Sequence, residues 1–154
     1  MMKILTQSLG MTALITTLIA GTGNALADEP VGYVKTVTGN VSITTAGAKS
    51  QASVGSSVFQ GSQIQTAKGA SLGVTFKDNT VMSFGPDTQL TVDEYVFNPN
   101  QGNVKFASKL SKGTLNYVSG AIAKINPEAV AVKTPTGTIG VRGTNFVVKV
   151  EADE

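Results

Sequence analysis

Histidine, cysteine and tryptophan are all absent from this 154-residue chain. Their absence removes the Ser-His-Asp triad, the cysteine nucleophile and the common zinc sites. What remains for chemistry is a thin set of carboxylates. Apart from the terminal acids these are Asp78, Asp87, Asp93, Glu94 and Glu128. Adjacent Asp93 and Glu94 would point to opposite faces of a strand, so they make a poor catalytic pair. No catalytic residue is assigned, and the chain is not expected to be an enzyme. Asp78 and Asn79 could offer oxygens to calcium, but a tight turn accounts for both residue types, so neither a metal nor a cofactor is expected.

The densest cluster of constraint lies at residues 133–146, where Pro135, Gly137, Gly140, Arg142 and Gly143 precede Asn145 and Phe146. The glycines superficially suggest a phosphate-cradling loop. No glycine-lysine-serine or glycine-lysine-threonine ending is present, however, and a strand pattern rather than a helix follows. Close backbone packing around a turn and two short strands is the expectation. Arg142 has two readings: an internal ion pair with Asp78 or Asp87, or recognition of an acidic group on a partner or glycan. Tyr33, Tyr95 and Tyr117 fall in strand-like runs where core packing is the default, so no aromatic sugar platform is indicated. The lysines are dispersed along the chain, and solvated surface is their ordinary meaning.

The elements that must position these residues are strands. Val41 and Ile43, then Leu72, Val74 and Phe76, then Leu90 and Val92, and finally Phe146, Val148 and Val150 alternate with mostly polar neighbours, the two-residue period of a half-buried strand. Gly, Asn, Asp and Pro punctuate the runs. Residues 77–80 are expected to form a tight hairpin and residues 98–103 an exposed loop. A short helix is allowed only within 120–129, with Ala121, Ile122 and Ile125 on one side and Pro127 ending it. The fold class is therefore all-β, with short glycine-punctuated strands compatible with a twisted, solenoid-like arrangement; a β-sandwich is the alternative.

At the N-terminus, Lys3 precedes an apolar run from Met11 to Ala20, and Ala25, Leu26 and Ala27 lead to Asp28. This pattern predicts a secretory signal peptide over 1–27, cleaved between Ala27 and Asp28. The apolar run is about half the roughly 20 residues needed to span a bilayer. No membrane insertion is expected after cleavage, and the exported product is expected in the periplasm, with a secreted or surface position left open. Only Lys3 among the charged residues lies in 1–27, so 28–154 carries eleven basic residues against ten acidic ones. That near-neutral balance offers no footprint for nucleic acid. Residues 28–154 are long enough to form one domain with a core of its own, without disulfides.

The chain resembles the FecR domain, the extracytoplasmic module named after the ferric-citrate regulator, from about Val34 to Val150. Gly39-Asn40-Val41, Val58-Phe59-Gln60-Gly61-Ser62-Gln63-Ile64-Gln65-Thr66, Ser71 to Phe76 with Asp78, Gly85-Pro86-Asp87-Thr88-Gln89-Leu90, Gly113-Thr114-Leu115, and Thr134-Pro135 with Val141-Arg142-Gly143-Thr144-Asn145-Phe146 follow the order of that family's segments. The resemblance implies a solenoid-like β fold and no catalytic residues. It also implies a role as a protein-binding module in envelope sensing or signal relay, here expected without a sigma-regulating segment of its own. The expected partner is an envelope protein. A structural, polysaccharide-binding or cell-wall-binding envelope protein is the alternative, and an exposed edge strand ending at Val150 is the natural place for strand addition to a partner.

Overall fold

The computed structural model describes residues 28–142 and 145–152. The expected signal peptide, including Ala27, lies outside the described residues, as does Gly143; Asp28 is exposed at their start. The described chain is nearly all β. Its elements are β1 (Gly32–Thr38), β2 (Val41–Thr45), β3 (Ala48–Gln51), β4 (Ser57–Val58), β5 (Gln63–Thr66), β6 (Ser71–Phe76), β7 (Val81–Phe84), β8 (Gln89–Asn98), β9 (Asn103–Val118), α1 (Ala121–Ile125), β10 (Val130–Thr134), β11 (Gly137–Gly140) and β12 (Asn145–Val150). The strands join one curled, open, half-barrel sheet in the order β3-β2-β5-β8-β9-β7-β6-β1-β4, with β10 and β12 also pairing with β9 and β11 pairing with β10.

The 16-residue β9 holds this order together. Its first part pairs with β8 and, in parallel, with β10, while its last part pairs with β7 and β12. Gly113 stands between the two parts with φ +94°. A Cβ there would run into the backbone and side chain of Thr88, so only glycine lets the strand turn from one half of the sheet to the other at this point.

Alternation decides which face is core. Ile43, Ile64, Leu90 and Leu110 are cross-strand neighbours on β2, β5, β8 and β9, and all are buried. In the other half Val34, Val74, Met82, Tyr117 and Phe146 form the equivalent row. A one-residue slip would turn each row to solvent, so burial of these side chains pins the register. The opposite face of the first half is polar. Gln51, Ser42, Gln65, Gln89 and Lys112 share one level across five strands, and Lys49, Thr44, Gln63, Thr91 and Lys109 share the next.

The turns follow local chemistry. Residues 77–80 close the β6-β7 hairpin with Asn79 at φ +64°, and residues 98–103 form the exposed β8-β9 loop with Gly102 at φ +66°. The short helix is α1, and Pro127 opens a 3₁₀ turn beyond it. Its buried side differs from expectation: Ile122 and Ala123 are buried whereas Ile125 is 48% exposed. The helix is only five residues long, and Ile125 is its last residue.

The expected turn and two short strands at 133–146 are β10, β11 and the start of β12. Gly137 and Gly140 do not serve close packing, because a Cβ at either would meet nothing within 4 Å. The closest approaches of backbone occur instead at Gly113 and Gly120.

Candidate partner-binding edge

β12 exposes Asn145, Val147 and Lys149 and half-buries Phe146, Val148 and Val150. Its apolar side is anchored by Phe146, whose ring stacks on Tyr117 at 4.9 Å and 18°. Among the described residues β12 pairs with β9 alone. The Gly85 N–H donates to the Thr114 carbonyl at 3.0 Å, so Thr114 aims its backbone groups toward β7. Peptide directions alternate along a strand, so Leu115 aims its own toward β12, where Val148 is its partner. Val148 therefore bonds inward, and the N–H and C=O groups of Asn145, Val147 and Lys149 face outward along an unpaired edge. Such an edge is a template for another strand. Val147, 66% exposed, presents an apolar side chain there. Lys149, paired with Glu151 at 3.1 Å in full solvent, adds a charge of the kind that discourages indiscriminate pairing.

Behind this edge runs an aromatic chain. Tyr117 lies 6.2 Å from Phe106, which packs on Phe76 at 4.7 Å and edge-on to Tyr95 at 4.9 Å. Tyr95 and Tyr117 are buried as expected, while Tyr33 is 39% exposed. The chain ends at Asp78, 1% exposed. The Asp78 carboxylate accepts from the Thr80 hydroxyl at 2.7 Å, the Thr80 N–H at 3.2 Å, the Tyr95 hydroxyl at 3.0 Å and the Ile122 N–H at 3.2 Å. The Tyr95 oxygen in turn accepts from the Asp78 N–H at 2.9 Å, and the Asp78 carbonyl accepts from the Ala121 N–H at 2.7 Å. A buried carboxylate satisfied this fully by donors has a structural role, fastening the β6-β7 hairpin to β8 and α1.

Burial, joined at Tyr95 by the Asp78 charge, pushes the Tyr95 and Tyr117 hydroxyls well above their ordinary value of 10.0. In the unfolded chain both would lose protons near that ordinary value, so above it the unfolded state binds fewer protons than the folded one. Stability therefore falls as pH rises past about 10, with a limiting slope of about 2.7 kcal/mol per pH unit for two groups. In an alkaline titration, phenolate absorbance from these two residues is expected to appear together with loss of far-UV dichroism. Their ionisation in a chain that is still folded would contradict the burial.

The remaining candidates are scattered. Arg142 is exposed beside Asn126, Pro127 and Glu128, and no ion pair among the described residues includes it. The Asp78 carboxylate is taken by its four donors, so it is not the partner of Arg142. Asp87, exposed at φ +49°, lines a groove with Lys49, Lys68 and Lys112. Asp93 is exposed within a bulge of β8, and neighbouring Glu94 pairs with Lys105 at 2.8 Å. No group of three or more metal-ligating side chains occurs among the described residues, and no helix among them is long and apolar enough to cross a membrane. Alternation in the sequence locates the strand β12, with its edge position named only as a candidate, and misses the Asp78 network. The signal was present only as Asp78 close to Thr80, since Tyr95 and Ile122 are remote in sequence.

A family model described as FecR protein matches residues 62–154. Comparison with curated proteins and with solved structures finds no match.

Proposed function

The chain belongs to the FecR protein family, and from that membership we propose that it is a non-enzymatic, extracytoplasmic protein-binding module in envelope sensing or signal relay. Its partner is an envelope protein that contributes an extended segment to the free edge of β12. The observation that carries this reading is the outward-facing backbone of Asn145, Val147 and Lys149 on a strand that, among the described residues, is paired on one side only. Strand addition supplies main-chain hydrogen bonds for affinity, and flanking side chains select the sequence. Phe146, stacked on Tyr117, keeps the edge rigid, which lowers the ordering cost of association.

Val147→Pro tests it. Proline at this position deletes an outward N–H and leaves the β9 ladder intact, so the fold is expected to persist. A photo-crosslinking residue at Lys149 is expected to capture one defined envelope protein in cells, and Val147→Pro is expected to abolish that capture while the unfolding midpoint stays close to that of the parent. Equal capture by the proline variant, or capture of wall fragments alone, would overturn the proposal.

A further inference from the structure

The polar face of the β3-β2-β5-β8-β9 half brings together lysines that are far apart in sequence. Lys49 stands at one end of the two polar rows and Lys109 and Lys112 at the other. Lys133 on β10 is the parallel neighbour of Lys109. Beside the rows lies a groove of about 560 Å³ lined by Lys49, Lys68, Lys112, Gln51 and Gln65, with Asp87 as its one acid. The described ion pairs, Lys77–Glu29, Lys105–Glu94 and Lys149–Glu151, include none of these lysines. Like charges side by side on neighbouring strands are unfavourable, so Lys109 beside Lys133 is a local cost that an anion would relieve.

We propose that this face binds an anionic polysaccharide, one bearing carboxylates, laid across the strands. Successive strands place hydrogen-bonding side chains about 4.8 Å apart, so five strands offer a line about 19 Å long. That spacing is comparable with the length of a pyranose unit, and Gln65, Gln89 and Thr91 can donate to and accept from sugar hydroxyls. The lysines at both ends supply charge-assisted bonds to carboxylates. A peptide is the poorer fit, because its backbone pairs with an edge and runs along the strands. Single-stranded nucleic acid is also a poorer fit, because neither row contains a ring on which a base could stack. This face meets β12 at a depression lined by Gln89, Lys112, Lys149 and Val150, but it engages its ligand through side chains across the strands whereas the β12 edge offers backbone groups, so each assignment has its own test.

The test is binding of the purified protein to polygalacturonate, with dextran as the uncharged polymer and poly-glutamate as the charged peptide. Polygalacturonate is expected to bind and to be released by added salt, and dextran is expected not to bind. Lys109→Glu combined with Lys133→Glu, and separately Gln65→Ala combined with Gln89→Ala, are each expected to weaken polygalacturonate binding about tenfold without moving the unfolding midpoint. Absence of polygalacturonate binding overturns the proposal. So does equal binding of poly-glutamate with no effect of the glutamine changes, which would mean that charge alone is recognised. Should a variant fail to fold, the comparison of the three polymers on the parent protein still decides.

Discussion

Asp78→Ala is expected to destabilise the protein by about 4 kcal/mol, because it strips the acceptor from four donors at once in a site sealed from water. The Thr80 and Ile122 N–H groups and the Thr80 and Tyr95 hydroxyls all point at this one carboxylate. Unsatisfied buried donors cost more than the net worth of the bonds they made. Asp78→Asn separates geometry from charge. It keeps the size of the group but turns one acceptor into a donor facing donors, so a loss of about 2 kcal/mol is expected. Urea unfolding of the three proteins checks the order. A loss below about 1 kcal/mol for the alanine variant would mean that the network carries little of the stability. The aromatic chain gives a second readout: Tyr95, freed from Asp78, is expected to change its near-UV dichroism.

Gly120→Ala is expected to be at least as damaging, and for a purely steric reason. Gly120 has φ −99°, a conformation open to any residue, so backbone strain is not the issue. A Cβ at this position would collide with the Asp78 carbonyl, the Thr80 nitrogen and the Asn79 carbonyl carbon, all of them backbone. Relief requires moving the β6-β7 turn away from α1. That movement breaks the Ala121 N–H to Asp78 carbonyl bond and the Gly120 N–H to Thr80 hydroxyl bond together. The expected cost is about 4 kcal/mol or more, appearing as a collapse in soluble yield or in the unfolding midpoint. Gly137→Ala is the control, because a Cβ there meets open space and little change is expected. Similar behaviour of the two variants would refute the steric account.

The alternating strands were legible in the sequence because the two-residue period reports which face of a strand is buried. Leu72, Val74 and Phe76 are buried as that period requires. The hairpin at 77–80 was legible from turn chemistry, and Asn79 does adopt positive φ. Periodicity does not report which strand lies beside which. Nothing in the local pattern of β1 says that its neighbours are β4 and β6, since pairing depends on backbone groups that every residue carries. The lysine-flanked face was hidden for the same reason: Lys49, Lys109 and Lys133 converge only through register. The glycines misled because sequence cannot tell a glycine chosen for close approach from one in open space. Gly120 is of the first kind, and Gly137 and Gly140 are of the second.

The placement of β9 has a consequence for how the molecule is made. Without β9 the strand order divides into two four-stranded pieces, β3-β2-β5-β8 and β7-β6-β1-β4, whose members interleave along the chain. Each piece would present an edge, β8 in one and β7 in the other, that stays open until Val118 has been synthesised. Pairings so remote in sequence place the protein among slow-folding topologies, and a long open edge during that interval invites pairing with other chains. A holdase that covers apolar strands would therefore protect this protein most in the interval before β9 is complete, and substitutions that weaken β9 would be felt first as aggregation of the newly made chain.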